Sequence, residues 1–268
     1  MVPATSVANS RSYAPSAPWY SPLVTSQDPG DSGDITLRLL QVGAGPQDET
    51  GAMPLLLRTS RGDINAVFHP VEGGTAALIC VSGAMGGVDG PAGALYPALA
   101  AGLAPAGVSV LRLDYRQPNV FEECVADVLA GCSFLKGIGA SSLALVGHSF
   151  GAAVVIKAGE LAPIVVAVCS MSPQLHGTRQ VENLGKPLLL IHGAADTVLD
   201  HEASEDVYRR AADPKQIVLL SDTGHGLMQA RKKIEALLLE WLPARFAGEP
   251  MESGRSEWLA DDTPPFGS

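Results

Sequence analysis

The chain has 268 residues, of which 46% are hydrophobic and 17% charged, and its formal net charge is -10. This length and composition fit one globular α/β domain, since roughly 200–250 residues commonly fold together in that class. The acidic balance excludes the basic footprint of a nucleic-acid-binding protein, and no apolar run reaches the roughly 18 residues that suggest a membrane span.

The N-terminal region, residues 1–33, is rich in Pro, Ser and Gly without hydrophobic periodicity, which predicts a disordered tail. It lacks a basic segment followed by an apolar core, so no secretory signal is expected. We therefore expect a cytoplasmic protein. The alternative is an organelle, if residues 1–27, which contain Arg11 and no acidic residue, act as a transit peptide.

Four cysteines, none of them in a C-x-x-C pair, argue against a disulfide framework or a zinc site. Cys80 and Cys169 fall in apolar, strand-like runs, which predicts buried free thiols. Free thiols favour a reducing compartment.

The pattern of the chain predicts three strands first, at 35–42, 54–59 and 63–69, and the short spacing of the last two predicts a hairpin. From residue 75 onward strands alternate with helices. The strands are expected at 75–82, 108–114, 143–147, 164–169, 187–191 and 216–220, and the helices at 92–106, 120–136, 152–158, 203–212 and 227–246.

This alternation predicts a mostly parallel twisted sheet with right-handed crossovers, an antiparallel N-terminal edge and helices on both faces. The domain would occupy residues 34–246, and the polar residues 247–268 would form a flexible C-terminal tail. Ligands of such sheets bind at the carboxyl ends of the strands, so the chemistry is expected in the loops that follow strands.

The segment Gly147-His148-Ser149-Phe150-Gly151 follows an apolar strand and precedes a helical run of small residues. In a G-x-S-x-G turn of this kind the serine adopts a strained conformation that exposes its hydroxyl. The alternative is a glycine-flanked serine in an ordinary loop. The strand before it and the helix after it favour Ser149 as a nucleophile.

A serine nucleophile needs a base, and His225 is the best placed of the six histidines. It follows the last strand of the alternating region, between Gly224 and Gly226, just before the closing helix. The alternative is a polar loop histidine. His148 is expected to support the turn, and His192 is expected to be a hydrogen-bonded core imidazole.

A carboxylate must hold the base in the correct tautomer. Asp196 follows an apolar strand and a short turn, and is our choice for this role. Asp200 is the fallback, and Asp222 lies close to His225 but is expected to cap a turn.

An oxyanion hole requires two N–H donors. We expect the amide of Phe150 and an amide from the glycine-rich loop after residue 82, with Ala84 first and Met85 second. The alternative is a tight turn without a ligand. A phosphate site is disfavoured because this loop lacks the P-loop pattern and its lysine.

Three motifs together resemble the α/β-hydrolase superfamily over roughly residues 63–246. They are Gly147-His148-Ser149-Phe150-Gly151, the run from Leu190 to Asp196, and Thr223-Gly224-His225-Gly226. The chain is most similar to the compact serine-esterase and dienelactone-hydrolase-like groups, although dienelactone hydrolase itself uses a cysteine nucleophile. The resemblance implies an α/β-hydrolase fold and a Ser-Asp-His order of catalytic residues, which this chain follows.

The connection over residues 170–186 is too short for the multi-helix lid that many relatives insert at this point. The resemblance therefore implies a domain without a large cap and an open, shallow pocket. We expect Met85, Met171, Leu175 and His176 to border it.

These residues predict a serine hydrolase that cleaves a small-molecule carboxylic ester through an acyl-enzyme, without a metal or cofactor. A thioesterase or an acyltransferase could use the same triad. A non-catalytic binding protein on this fold is the alternative of another class. The sequence does not predict the oligomeric state.

Overall fold

The computed structural model describes residues 37–258. The predicted N-terminal tail, residues 1–33, and the candidate transit segment therefore lie outside the described residues. Between residues 37 and 258, no helix is both long enough and apolar enough to pass through a lipid bilayer.

Ten strands form one sheet in this part of the chain. In chain order they are β1 (Leu39–Ala44), β2 (Met53–Thr59), β3 (Gly62–His69), β4 (Ala76–Val81), β5 (Val108–Leu113), β6 (Ser142–His148), β7 (Val165–Met171), β8 (Leu188–Gly193), β9 (Lys215–Leu220) and β10 (Gly254–Trp258). Across the sheet the order is β1-β2-β3-β5-β4-β6-β7-β8-β9-β10.

The direction of the strands divides the sheet into two parts. β1, β2 and β3 pair antiparallel, with β2 and β3 as the predicted hairpin, and β3 pairs antiparallel with β5. The remaining pairings, from β5–β4 to β9–β10, are parallel. The predicted parallel sheet with an antiparallel N-terminal edge is therefore confirmed.

Five α-helices pack against this sheet within the described residues: α1 (Pro91–Leu103), α2 (Phe121–Gly137), α3 (Phe150–Leu161), α4 (Glu202–Arg210) and α5 (Arg231–Phe246). α1 and α5 contribute Leu99 and Leu238 to the core on one face. α2, α3 and α4 contribute Val128, Val155 and Val207 to the core on the other face. Because helices cover both faces, the central strands are buried on both sides and read as continuous apolar runs.

The neighbouring strands β4 and β6 send their helices to opposite faces of the sheet. α1 follows β4 and joins one core, whereas α3 follows β6 and joins the other. The loops after β4 and β6 therefore diverge at the carboxyl edge, and such a divergence is where open α/β sheets bind ligands.

The start of α1 differs from the predicted right-handed helix over 92–106. Ala92, Gly93 and Ala94 have φ angles of 54°, 63° and 69°, which make a left-handed turn before the regular helix. The Ala92 amide donates to the Gly226 carbonyl at 2.8 Å, and Arg231 donates to the Ala92 carbonyl at 3.0 Å. Both partners are distant in sequence, so the local pattern could not reveal this turn.

The C-terminal tail predicted for residues 247–268 is wrong over part of its length. Gly254–Trp258 forms β10, which pairs in parallel with β9 at the edge of the sheet. This strand is polar, and Arg255 contacts Glu205 of α4 at 2.9 Å. An edge strand is held mainly by backbone hydrogen bonds, so it leaves no hydrophobic pattern to detect. Residues 259–268 lie outside the described part of the chain.

The four cysteines are unpaired and buried, as predicted for Cys80 and Cys169. Burial raises the pKa of all four thiols, to about 12 for Cys124 and Cys132. Thiols with such values carry almost no nucleophilic thiolate at neutral pH.

The backbones of β4, β6 and α3 approach each other so closely that only glycine fits at two positions. A Cβ placed on Gly147 would lie 2.2 Å from the Gly151 carbonyl oxygen, and one placed on Gly151 would lie 2.2 Å from the Ser82 carbonyl oxygen. The two glycines of the G-x-S-x-G motif thus set the distance between strand and helix.

Gly147→Ala should destabilise the protein, because the added methyl group meets backbone that can yield only if α3 moves. We expect a loss of roughly 1–3 kcal/mol in the free energy of unfolding, measured by urea denaturation. Gly137→Ala is the matched control, since an added Cβ there meets no atom within 4 Å in α2. The control should be neutral or slightly stabilising. Equal losses in the two variants would contradict the close-contact argument.

Candidate active site

Ser149 lies between β6 and α3 in a conformation that non-glycine residues rarely adopt. Its φ and ψ angles are 58° and -119°, and such strain is concentrated at functional sites. The Ser149 amide donates to the Met171 carbonyl at 2.8 Å, and α3 begins at the next residue, Phe150. The serine side chain is therefore presented at the carboxyl edge of the sheet.

The structure brings Ser149, His225 and Asp196 together from three different loops. His225 Nε2 lies 3.0 Å from the Ser149 hydroxyl oxygen, and His225 Nδ1 lies 2.7 Å from Asp196 Oδ2. The Asp196 side chain is fully buried, whereas His225 keeps 20% of its side-chain surface exposed. A base with this geometry can accept a proton from the serine while the carboxylate fixes its tautomer.

The Asp196 carboxylate is held by its own loop as well as by His225. Burial raises the pKa of the Asp196 carboxyl, but hydrogen bonds from the Leu199 amide, the His225 ring and the Val198 amide outweigh it, so the net pKa is lowered. Oδ1 accepts from the Val198 and Leu199 amides at 2.8 and 2.9 Å. Asp196 is thus ionised at neutral pH and oriented towards His225.

His192 is a buried, hydrogen-bonded imidazole, as the sequence predicted, and it contacts the Asp196 carboxylate. Its Nε2 lies 3.0 Å from the Leu199 carbonyl oxygen and 3.2 Å from Asp196 Oδ2. Its Nδ1 lies 2.7 Å from the Ser204 hydroxyl oxygen. Burial lowers the pKa of His192, so it serves as a neutral donor that fixes the loop after β8.

His148 contacts the backbone of the His225 loop. Its Nε2 lies 2.8 Å from the His225 carbonyl oxygen, and the two imidazole rings are 4.9 Å apart. Burial lowers the pKa of His148 to about 4. A neutral His148 can therefore donate its Nε2 proton to this carbonyl across the neutral pH range.

The two other candidate carboxylates lie elsewhere. Asp200 has 71% of its side-chain surface exposed and accepts from the Glu202 amide at 2.9 Å. Asp222 is on the surface of the loop after β9. The carboxylate that reaches His225 is that of Asp196.

The loop after β4 lies directly against Ser149. A Cβ on Gly83 would be 3.3 Å from the Ser149 Cβ, and the Gly86 amide donates to the Gly83 carbonyl at 3.0 Å. Ala84 and Met85 are therefore the two central residues of a tight turn beside the serine. Their amides and that of Phe150 stay the predicted oxyanion donors.

The pocket residues expected from the sequence are not all found at one surface. Met171 is fully buried in the core beneath α1 and α5, so its expected place in the pocket is wrong. Strand β7 is apolar on both faces, and the sequence therefore could not show which way Met171 points. Met85 and Leu175 are 94% and 51% exposed.

His176 lines an open cleft of about 400 Å³ beside the turn that carries Ser149. The other residues of its wall come from the loop after β5, the first turn of α2, the first turn of α3 and the loop after β7: Asn119, Val120, Phe121, Glu122, Phe150 and Gln174. Sequence reasoning missed Phe121. Its position just after a strand and loop at the carboxyl edge was the signal that could have identified it.

A metal site is not formed by the described residues. Between residues 37 and 258, no group of three or more His, Cys, Asp or Glu side chains has the arrangement needed to hold a metal ion.

Solved structures that resemble this chain are hydrolases at low sequence identity. Est1E from Butyrivibrio proteoclasticus has a TM-score of 0.63 at 18% identity, over 74% of this chain and 99% of its own. An alpha-beta serine hydrolase homologue from Coxiella burnetii has a TM-score of 0.61 at 20% identity, over 70% and 96%. Dienelactone hydrolase from Anabaena variabilis has a TM-score of 0.59 at 16% identity, over 70% and 97%.

The sequence matches no protein-family model. It also matches no curated protein. The similarity to known proteins is therefore one of architecture: the strand order, the turn between β6 and α3, and the superposition on these solved structures. The protein has the α/β-hydrolase fold, as the sequence predicted.

Proposed function

We propose that this protein is a serine hydrolase that cleaves a carboxylic ester through an acyl-enzyme. One observation carries the proposal: His225 lies within hydrogen-bonding distance of both the Ser149 hydroxyl, at 3.0 Å, and the Asp196 carboxylate, at 2.7 Å. A serine, a base and an orienting carboxylate linked in this way form the arrangement that activates a hydroxyl nucleophile.

In the first step the Ser149 oxygen attacks the ester carbonyl while its proton passes to His225 Nε2. The carbonyl oxygen becomes negatively charged, and the amides of Phe150 and Ala84 donate to it, with Met85 as the second candidate. The Phe150 amide lies at the N-terminus of α3, where the helix dipole also favours negative charge. The ionised Asp196 stabilises the imidazolium that forms.

In the second step His225 donates this proton to the leaving alcohol, and the acyl group remains on Ser149. Water then enters, and His225 takes its proton as the water attacks the acyl carbonyl. Collapse of the second tetrahedral intermediate returns the proton to Ser149 and releases the acid.

Two observations on similar structures support an ester as the substrate. One structure is described as Est1E from Butyrivibrio proteoclasticus with ferulic acid bound, and others are described as esterases from Pyrococcus furiosus and Rhodothermus marinus. The open edge around Ser149 also suits a substrate that approaches from solvent.

Ser149→Ala should abolish ester hydrolysis, lowering kcat by about five to six orders of magnitude, because no other group can form the acyl-enzyme. The measurement is hydrolysis of p-nitrophenyl esters of graded chain length, together with labelling by a fluorophosphonate probe. Ser133→Ala, on the surface of α2 with its hydroxyl bonded to the Leu129 carbonyl, is the matched control and should retain full turnover. Unchanged turnover in folded Ser149→Ala would remove this serine from the mechanism.

Asp196→Asn should lower kcat by roughly four orders of magnitude, because the amide no longer holds His225 in the tautomer that accepts the serine proton. Asp200→Asn is the matched control, since its side chain is on the surface. It should leave kcat near the wild-type value. The reverse ranking of the two variants in steady-state kinetics would assign the orienting role to Asp200.

His148→Gln should reduce the dependence of stability on pH. The folded pKa of His148, about 4, lies below the ordinary value of 6.5, so between these values the unfolded chain binds a proton that the folded chain does not. Stability is therefore lost as the pH falls from 6.5 towards 4, by up to about 3 kcal/mol from this group. Glutamine keeps an N–H donor but does not titrate. Urea denaturation at pH 7 and pH 5 measures the difference, and equal losses in both proteins would contradict the assignment.

A further inference from the structure

Three of the seven residues that line the cleft beside Ser149 carry aromatic rings: Phe121, Phe150 and His176. Phe150 connects the cleft to the serine, because it follows Ser149 in the chain, its amide is a candidate oxyanion donor and it is one of the residues that line the cleft. Phe121 and His176 form the rest of the aromatic surface. A group attached to a carbonyl at Ser149 would have this surface within reach.

The three rings are arranged edge to face. The Phe121 and Phe150 ring centres are 6.1 Å apart at an interplanar angle of 84°, and those of Phe121 and His176 are 5.4 Å apart at 77°. Phe150 is almost fully buried, so the ring surface that a ligand can contact belongs to Phe121 and His176. Aromatic rings prefer edge-to-face or offset contacts to face-on stacking, and an aryl ligand could make such contacts here.

Phe121 is held in place by the backbone of the loop after β7. A Cβ on Gly177 would lie 2.3 Å from Phe121 Cε2 and Cζ, so the ring is pressed against a glycine that has no side chain. Gly177 also has a φ of 89°, which favours glycine. The ring is therefore part of a preformed wall, and a ligand need not order it.

The polar groups of the cleft select against negatively charged ligands. Asn119 and Gln174 are neutral amides that can hydrogen-bond a ring substituent, and Glu122 would repel a carboxylate. Among the described residues that line the cleft, none is lysine or arginine. The net charge of the chain, -10, also repels negatively charged ligands.

We infer that this cleft is a subsite for an aryl group without negative charge in the ester substrate, with Phe121 as the residue that determines the preference. The inference rests on the proposed function, because it takes the ester carbonyl to be at Ser149. The observation behind the inference is the edge-to-face arrangement of the rings. A cleft of aliphatic side chains would favour saturated rings, because these have more apolar surface. Aromatic walls favour a flat aryl ring instead.

The test compares aryl esters with their saturated counterparts on the full-length protein. Methyl phenylacetate is paired with methyl cyclohexylacetate, and benzyl acetate with cyclohexylmethyl acetate, so that the ring is on the acyl side in one pair and on the alcohol side in the other. We expect kcat/KM to favour the aryl ester by about twofold to tenfold in one of the pairs. The pair that shows the preference identifies which half of the ester occupies the cleft.

Phe121→Leu should bring this ratio close to unity. His176→Leu, at an exposed position, is a second variant that tests the same wall if Phe121→Leu fails to fold, and it should lower the ratio too. Phe246→Leu removes an aromatic ring at the end of α5, on the opposite face of the sheet, and should leave the ratio at the wild-type value. Ratios at or below unity in both pairs of wild-type protein would overturn the aryl subsite while the esterase proposal stands.

Binding to Ser149→Ala separates the subsite from the catalytic proposal. Phenylacetamide, which is neutral and resists hydrolysis, should give saturable NMR shifts that exceed those of cyclohexylacetamide and disappear in the Ser149→Ala, Phe121→Leu double variant. If no ester is hydrolysed but this binding is found, the proposed function fails and the subsite stands. N-benzylacetamide and N-(cyclohexylmethyl)acetamide make the same comparison for the alcohol half. Absence of preferential aryl binding in both comparisons would overturn the subsite independently of turnover.

Discussion

The close approach of three backbone segments around Ser149 is the constraint on which the site depends. The end of β4, the end of β6 and the first turn of α3 meet where only Gly147 and Gly151 fit. A side chain at either position would push α3 outward and carry the Ser149 hydroxyl away from His225. The same contact brings the loop after β4 against the serine, so one steric requirement places the hydroxyl and two candidate oxyanion donors together.

Electrostatics then distinguishes the three imidazoles near Asp196. Burial lowers the pKa of both His148 and His192, and each uses its Nε2 as a neutral donor to a backbone carbonyl. His225 keeps part of its surface in solvent and is hydrogen-bonded to the ionised Asp196. Of the three imidazoles, His225 is the one that contacts the Ser149 hydroxyl, while its two neighbours hold the surrounding loops in position through backbone carbonyls.

The sheet and its helices could be predicted because buried parallel strands are unbroken apolar runs separated by amphipathic or small-residue helices. Ser149, Asp196 and His225 could be selected because each follows a strand, although their catalytic roles stay predictions. Features that depend on distant partners could not be predicted. The left-handed turn at Ala92 is held by Gly226 and Arg231. The side of the sheet that Met171 faces is set by packing. The contact between the Phe121 and His176 rings joins two segments that are far apart in the sequence.

Strand β10 also determines which backbone groups are exposed at one edge of the sheet. Without it, β9 would present a row of unpaired amide and carbonyl groups, which can template pairing with another chain. β10 covers that row and substitutes an outer strand that carries Arg255 and Glu257, with Arg255 bridging to both Glu257 and Glu205. Charged side chains on a terminal strand discourage edge-to-edge association. β10 thus covers a row of backbone groups that could otherwise pair with another chain, an effect separate from the chemistry proposed at the carboxyl edge of the sheet.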